Sequence, residues 1–197
     1  MLEGGPPINA ADLLSIVVDE LLRLCRDLGT SSNTPWKAYW NTTPTGDVED
    51  PRIENLCRDR LLERLIDRLE RYKIADGFAE VRRPEDTRAD MLILNGAGNP
   101  CPVKRHYHPD LWEAPNGQLR GYALAECSDG HGNLPRLLVW PRGRPTTPRP
   151  ERRVAETHVP QALEDMLVAD LPAAERERMR VLVFDVSKPI GTASGIT

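Results

Sequence analysis

No apolar run in the chain approaches the ~20 residues that a helix needs to cross a bilayer, and residues 1–7 hold no basic stretch followed by an apolar one. Neither a membrane span nor a secretory leader is therefore expected. The four cysteines, Cys25, Cys57, Cys101 and Cys127, lie far apart, and no Cys-x-x-Cys occurs. That spacing excludes a zinc ribbon and a thioredoxin-type redox pair, and leaves reduced, buried thiols as the ordinary reading of Cys25 and Cys57. Basic residues do not dominate: 26 Lys and Arg stand against 30 Asp and Glu, a net charge of −4. Such a chain does not coat nucleic acid by bulk charge, although a local basic groove stays open to it. Aromatics make up only 5%, and three of them, Trp36, Tyr39 and Trp40, share one short segment.

What is present describes a folded domain. The 197 residues are 40% AVILMFWYC and 28% charged, enough for one core with a short helical extension and unlike a disordered chain. A soluble, cytoplasmic, globular protein with no membrane partner is the expectation. Leu13, Val17, Leu21, Leu24 and Leu28 recur at helical spacing after Asn9, a helix N-cap type, and Gly29 supplies a stop. Residues 30–50 read as a long connection docked by its aromatics. A second helix is predicted from Asp50 as cap and Pro51 in the first turn to about Tyr72. Its apolar row is Ile53, Cys57, Leu61, Leu65 and Leu69. Strands are predicted over 75–82 and 88–94, then a hairpin loop over 95–99 and a third strand over 101–106. The pattern at 110–126 is helical but damaged by Pro115, Asn116 and Gly117. Residues 137–140 form an apolar strand of the fully buried kind. Helical signal over 160–179, interrupted at Pro172, precedes a last strand over 181–184. The layout is α/β, a mixed sheet flanked by helices with an N-terminal helical extension.

Chemistry concentrates between Arg88 and Trp112. Asp90 begins one predicted strand and Lys104 stands in the next, so pairing can bring an acid and a lysine to one sheet edge. With a second acid, such a pair can hold a divalent cation and position a water against a phosphodiester. Glu54 falls on nearly one line with Leu61 and Leu65 at 3.6 residues per turn, and an acid on an apolar side needs a partner or a job. Arg58, at i+4, is the ordinary partner. Asp90 is equally a candidate for a simple edge ion pair, and Lys104 for a solvated lysine. His106, His108 and Cys101 invite zinc, but a fourth ligand at suitable spacing is missing. Residues 142–153 carry five arginines and Glu151, a net +4, which suits either a solvated loop or contact with a nucleic-acid backbone. Gly96 and Gly98 precede no helix and form no dinucleotide fingerprint. The Gly191 to Gly195 stretch lacks the strand and helix of a serine-nucleophile turn.

The string Arg88-Ala89-Asp90, then Pro100-Cys101-Pro102-Val103-Lys104-Arg105-His106-Tyr107-His108-Pro109-Asp110-Leu111-Trp112, with Gln118-Leu119 beyond, resembles the PD-(D/E)xK nuclease superfamily. More narrowly, it is similar to a bacterial restriction-endonuclease-like domain often attached to large signalling ATPases. The stretch Glu54 to Asp59 resembles that family's opening helix with its acid, and the likeness extends from about residue 10 to Pro189. It implies a restriction-endonuclease-like domain over residues 51–189, preceded by a helix and connection over 1–50 and followed by a loose tail over 190–197. It further implies a Mg²⁺- or Mn²⁺-dependent endonuclease acting on DNA, or on RNA, with a role in bacterial antiviral defence and an ATPase or defence complex as partner. Glu54 and Asp90 would be the metal ligands, and Lys104 and Gln118 would complete the catalytic set with Asp90. Arg105, His108, Arg142 and Arg144 would contact nucleic acid.

One departure matters more than the matches. The family's Glu, two residues before the lysine, corresponds here to Pro102, which has no carboxylate and no N–H for a strand ladder. The resemblance then implies either a metal held by displaced ligands, with a backbone carbonyl at Cys101 or Val103 among them, or a degenerate nuclease fold that binds nucleic acid or a protein partner without cleaving. A purely structural interaction domain is the third reading. Another acid reaching Asp90, from among Glu80, Asp110 and Glu126, separates these readings.

Overall fold

The structure is a computed structural model, and it describes residues 5–30, 34–74, 76–82, 88–95, 97–105, 110–119, 136–140, 160–169, 171–173, 176 and 180–186. Helices and strands are mixed along the chain. Helix α1 spans Ala10–Thr30, and a short 3-10 turn over Pro35–Tyr39 leads into a two-stranded antiparallel sheet of β1 (Trp40–Thr42) and β2 (Val48–Pro51). Helix α2 spans Glu54–Leu69 and tightens into a 3-10 turn over Glu70–Tyr72. Three antiparallel strands follow, β3 (Asp76–Arg82), β4 (Arg88–Asn95) and β5 (Ala97–Cys101), in the order β3-β4-β5. Beyond them β6 (Val103–Arg105), β7 (Arg136–Trp140) and β8 (Arg180–Val183) pair in parallel, with helix α3 (Pro160–Val168) before β8.

The apolar stripe of α1 is the one expected: Leu13, Val17, Leu21, Leu24 and Leu28 are all buried. They meet Cys57, Leu61, Leu65 and Leu69 of α2, and the docked aromatics Trp36, Tyr39 and Trp40 close the same core. Each fully buried leucine contributes roughly 1.5–3 kcal/mol of transfer free energy. Trp36 and Trp40 meet edge to face, with ring centroids 6.2 Å apart. The Trp40 indole N–H donates to the Val186 carbonyl at 2.6 Å, tying the N-terminal segment to the chain just past β8.

β8 shows how the layers stack. Its side chains alternate between two cores: Leu182, with Phe184 just beyond, joins the α1–α2 core, whereas Val181 and Val183 join Leu111, Ala114, Leu163, Leu167 and Leu171 under α3. A strand buried on both faces is the pattern of a parallel sheet between helices. The Val183 N–H donates to the Glu164 carboxylate at 2.7 Å, and the Cys25 thiol lies 3.9 Å from the Val183 carbonyl. Both contacts cover the open edge of β8.

Several boundaries differ from the sequence expectation. Asp50 and Pro51 do not open α2; they end β2, where Pro51 sits across from Trp40, an edge position that needs no N–H. Ile53 stands at the N-cap without a side-chain cap, and at 65% exposure it is outside the apolar row. Residues 97–99 are strand rather than loop, because β4 and β5 pair as far as Asn95 with Ala97. The expected third strand is split at Pro102, where the chain leaves the β3–β4–β5 sheet and enters the β6–β7–β8 sheet. Proline's missing N–H and fixed φ account for the break. Residues 110–114 are turn, and Pro115–Leu119 is a single wide turn of π type, so the proline that damages the pattern replaces the helix there. The turn cluster at 128–133, the arginine-rich stretch at 141–153 and the tail lie outside the described residues.

Candidate functional site

Side-chain alternation sets out the region around Asp90. Met91 of β4 pairs with Cys101 of β5, and Met91, Cys101 and Val103 are all 0% exposed in the core shared with α2. Helix α2 lies against β3, β4 and β6. Gly77 of β3 lies under this helix, where a Cβ would come 2.6 Å from the Ile66 Cδ1 at the end of its side chain. Successive strand residues occupy opposite faces. The positions between the buried ones, namely Asp90, Pro102 and Lys104, therefore belong to the face of the strands away from α2.

On that face Asp90 stands in β4 and Lys104 in β6, strands of two different sheets. The β4–β5 pairing ends at Met91 and Cys101; Pro102 follows outside any strand, and Lys104 lies two residues further along in β6. Lys104 pairs with Val139 of β7, which pairs with Val183 of β8, so it shares the face that carries the α3 core. It is half-buried there. Gln118 lies in the wide turn packed beside β7, the strand adjacent to that of Lys104. Arg105 alternates with Lys104 and pairs with Trp140, which gives it a position of the opposite face, away from Asp90 and Lys104. Glu54 is the first residue of α2 and half-buried; its helix packs on the α2-facing side of the strands. Arg58, its expected i+4 partner, is itself 6% exposed and donates to Asp59 through Nε and Nη2 at 2.9 and 2.8 Å. His106, His108, Arg142, Arg144 and Glu126 lie outside the described residues, and Asp110 is exposed in its turn.

Pro102 is buried, so the position where the family's motif has a carboxylate holds only a ring and a carbonyl. A second acid does stand next to Asp90, on its other side. Ala79 pairs with Met91 and Val81 with Ala89, which sets Glu80 of β3 across from Asp90. The next position along this face is held by the cross-strand pair Arg82 and Arg88. Two carboxylates and two arginines thus occupy neighbouring register positions on one face of the antiparallel sheet. Among the residues whose side chains are described, no group of three or more His, Cys, Asp and Glu is arranged to hold a metal ion; Glu80 and Asp90 enter through backbone register. The charge pattern can do two things chemically. It can form a cross-strand ion-pair ladder, or it can hold a hard cation beside a phosphate.

Among the described residues Cys25, Cys57 and Cys101 form no disulfide, and burial pushes the Cys25 thiol up to about 12, with Glu164 adding to the effect. A thiol held protonated is neither nucleophile nor ligand, which agrees with the packing role read from sequence. Among the described residues no helix is long and apolar enough to cross a membrane. No protein-family profile, curated protein or solved structure matches the chain.

Proposed function

We propose that the chain is a nuclease domain of the PD-(D/E)xK type with a restriction-endonuclease-like fold, hydrolysing DNA phosphodiesters with Mg²⁺ or Mn²⁺. The observation that carries this reading is the sequence of elements, with Asp90 in an antiparallel hairpin that passes at Pro102 into a parallel sheet begun by the strand of Lys104. The donor set fits a hard cation, since carboxylate and carbonyl oxygens are its preferred ligands.

Asp90 is the residue that would hold the cation, with the carbonyls flanking Pro102 available beside it; Glu54, which the resemblance also names, opens the helix on the opposite side of the strands. A divalent cation bound there supplies charge neutralisation at the phosphate and a more acidic water. Lys104 places an ammonium beside the attacking water and the phosphate oxygen, where it orients the water and offsets the charge that develops in the transition state. The water oxygen forms a bond to phosphorus and passes its proton to solvent, while the bond from phosphorus to the leaving sugar oxygen breaks and that oxygen takes up a proton from solvent. Gln118, a neutral donor and acceptor, would position that water or the strand being cut.

The test is incubation of the purified chain with plasmid DNA, DNA oligonucleotides and RNA in Mg²⁺ or Mn²⁺, against an EDTA control. Metal-dependent cleavage of DNA is the expected result. A second reading is favoured by one observation, the buried Pro102 at the motif position: a domain of the same build that binds nucleic acid or a protein partner without cutting. In that case DNA binding persists and no metal produces cleavage.

A further inference from the structure

We propose that the arginines along the seam of α1 and α2, with Arg23 and Arg71 at their centre, bind the phosphodiester backbone of nucleic acid. The seam lies on the α2 side of the strands, away from Asp90 and Lys104, and needs no cleavage to act.

Glu20 is 1% exposed, and its single carboxylate draws in three arginines. Arg23 Nη1 donates to Oε1 at 2.6 Å, Arg71 Nη2 donates to the same oxygen, and Arg68 Nη1 lies 3.6 Å from Oε2. Two guanidinium nitrogens that share one acceptor lie within ~6 Å of each other, because each N–H···O bond spans ~3 Å. Like charges that close repel unless an acid lies between them, so Glu20 fixes the pair. Arg71 is held further by the Tyr72 hydroxyl at 2.9 Å and by the Tyr72 ring, whose centroid is 4.7 Å from its Cζ. Both side chains still face water, at 40% and 51% exposure. A guanidinium carries five N–H donors in a fixed fork. Among the described residues Arg23 uses Nη1 alone and Arg71 uses Nη2 alone. Two ordered forks with donors to spare suit the bidentate grip of a phosphate.

The sequence of α2 extends the pair into a row. Arg60, Arg64, Arg68 and Arg71 recur at i, i+4, i+8 and i+11, one flank of a helix with 3.6 residues per turn. At 1.5 Å per residue they stand ~6 Å apart or less, over about 16 Å. Arg68 also meets Asp27, so the centre sets three arginines against Glu20 and Asp27. Arg64 hydrogen-bonds the neutral Tyr39 hydroxyl and adds to the surplus, whereas Arg60 is balanced by Glu63. Asp67, exposed beside the row, bounds it. A lone small anion would need only the Arg23 and Arg71 forks. A row of cations matches a polyanion, where each contact to phosphate adds affinity by releasing counterions. The competing account is that the arginines serve only to neutralise Glu20 and hold α1 on α2.

The experiment measures binding of the full chain to a labelled DNA duplex by fluorescence anisotropy across a salt series without divalent metal. Melting temperatures and plasmid cleavage in Mn²⁺ are read alongside. The variants are Arg23→Gln, Arg71→Gln and Arg64→Gln. Wild type is expected to bind at low salt, and each variant to bind about 5–10-fold more weakly near 0.1 M salt, with the log–log salt slope flatter by about 0.9. Arg64 makes no contact with Glu20 among the described residues, so Arg64→Gln carries the test even where the other two variants fail to fold. Lower melting temperatures in Arg23→Gln and Arg71→Gln, with affinity and slope unchanged in all three, would mean that the arginines serve only Glu20, and would overturn the inference. Absence of binding by wild type at low salt would overturn it as well. Inorganic phosphate that binds as tightly as the duplex would make the seam a small-anion site and overturn the backbone assignment. A wild type that cuts DNA, with variants that bind as it does, overturns the inference and leaves the nuclease reading standing. Binding weakened in the variants of a chain that never cuts supports the inference and overturns the nuclease reading.

Discussion

Glu20 is 1% exposed in the middle of α1, yet its carboxylate is well supplied with donors. Arg23 approaches at 2.6 Å, Arg68 at 3.6 Å and the Tyr72 hydroxyl at 3.3 Å, and Arg71 also donates to it. A buried carboxylate with several charge-assisted hydrogen bonds holds α1 against the end of α2. Replacing Glu20 by Ala should cost about 1–3 kcal/mol, read as a shift in the urea midpoint at constant slope. The arginines are 29–51% exposed and can turn to water, which keeps the loss below that of a fully buried pair. Glu20 stands four residues after Ile16 and four before Leu24 on the buried stripe, and its partners Arg68, Arg71 and Tyr72 lie far along the chain, where no local pattern joins them to it. Tyr39 carries a different prediction. Burial pushes its hydroxyl from 10.0 to about 12, and Cys25 rises from 9.0 to about 12. The unfolded chain releases these protons first as pH rises, so the folded state binds more of them and stability falls with pH. The melting temperature should decline between pH 9 and 12, and Tyr39→Phe should decline less steeply. A Tyr39→Phe curve parallel to wild type would contradict this.

At the scale of elements, periodicity read the two N-terminal helices and the strand centres well, and pairing chemistry read poorly. Asp50 and Pro51 look like a helix start because a cap type precedes a proline. The β1–β2 pairing takes them instead, and that depends on Trp40, more than a turn away in sequence. The split at Pro102 follows from proline chemistry, but which sheet each half joins depends on β7 and β8, and no local signal reports that. Likewise Glu80 was only one acid among three until the hairpin register set it across from Asp90. The packing of β3 on α2 gives a sharp test. A Cβ at Gly77 would lie 2.6 Å from Ile66 Cδ1 and 3.0 Å from Leu62 Cδ1. Gly77→Val should therefore destabilise by about 1–3 kcal/mol through overpacking, and Ile66→Ala in the same chain should recover part of that loss. Equal stability of Gly77→Val and wild type in a denaturant titration would show that β3 and α2 are not in this contact.

For the whole molecule, the net charge of −4 means that attraction to DNA must come from clustered cations rather than from the total. Binding should weaken steeply with salt, with a log–log slope of about −0.9 per phosphate contact. The triple substitution of Arg142, Arg144 and Arg149 by Ala should weaken binding alike across sequences and flatten that slope. An unchanged slope would make the arginine-rich stretch a solvated connector. The central claim is that Asp90 and Lys104 act on a phosphodiester as a single unit. The most direct measurement is a cleavage cycle: the initial rate of plasmid nicking in Mn²⁺ for wild type, Asp90→Asn, Lys104→Ala and the double variant, each checked for folding by circular dichroism. Groups that work as one are grossly non-additive, so each single variant should lose nearly all activity and the double should be no slower than either. Wild-type inactivity, or singles that retain activity and losses that multiply in the double, would contradict it.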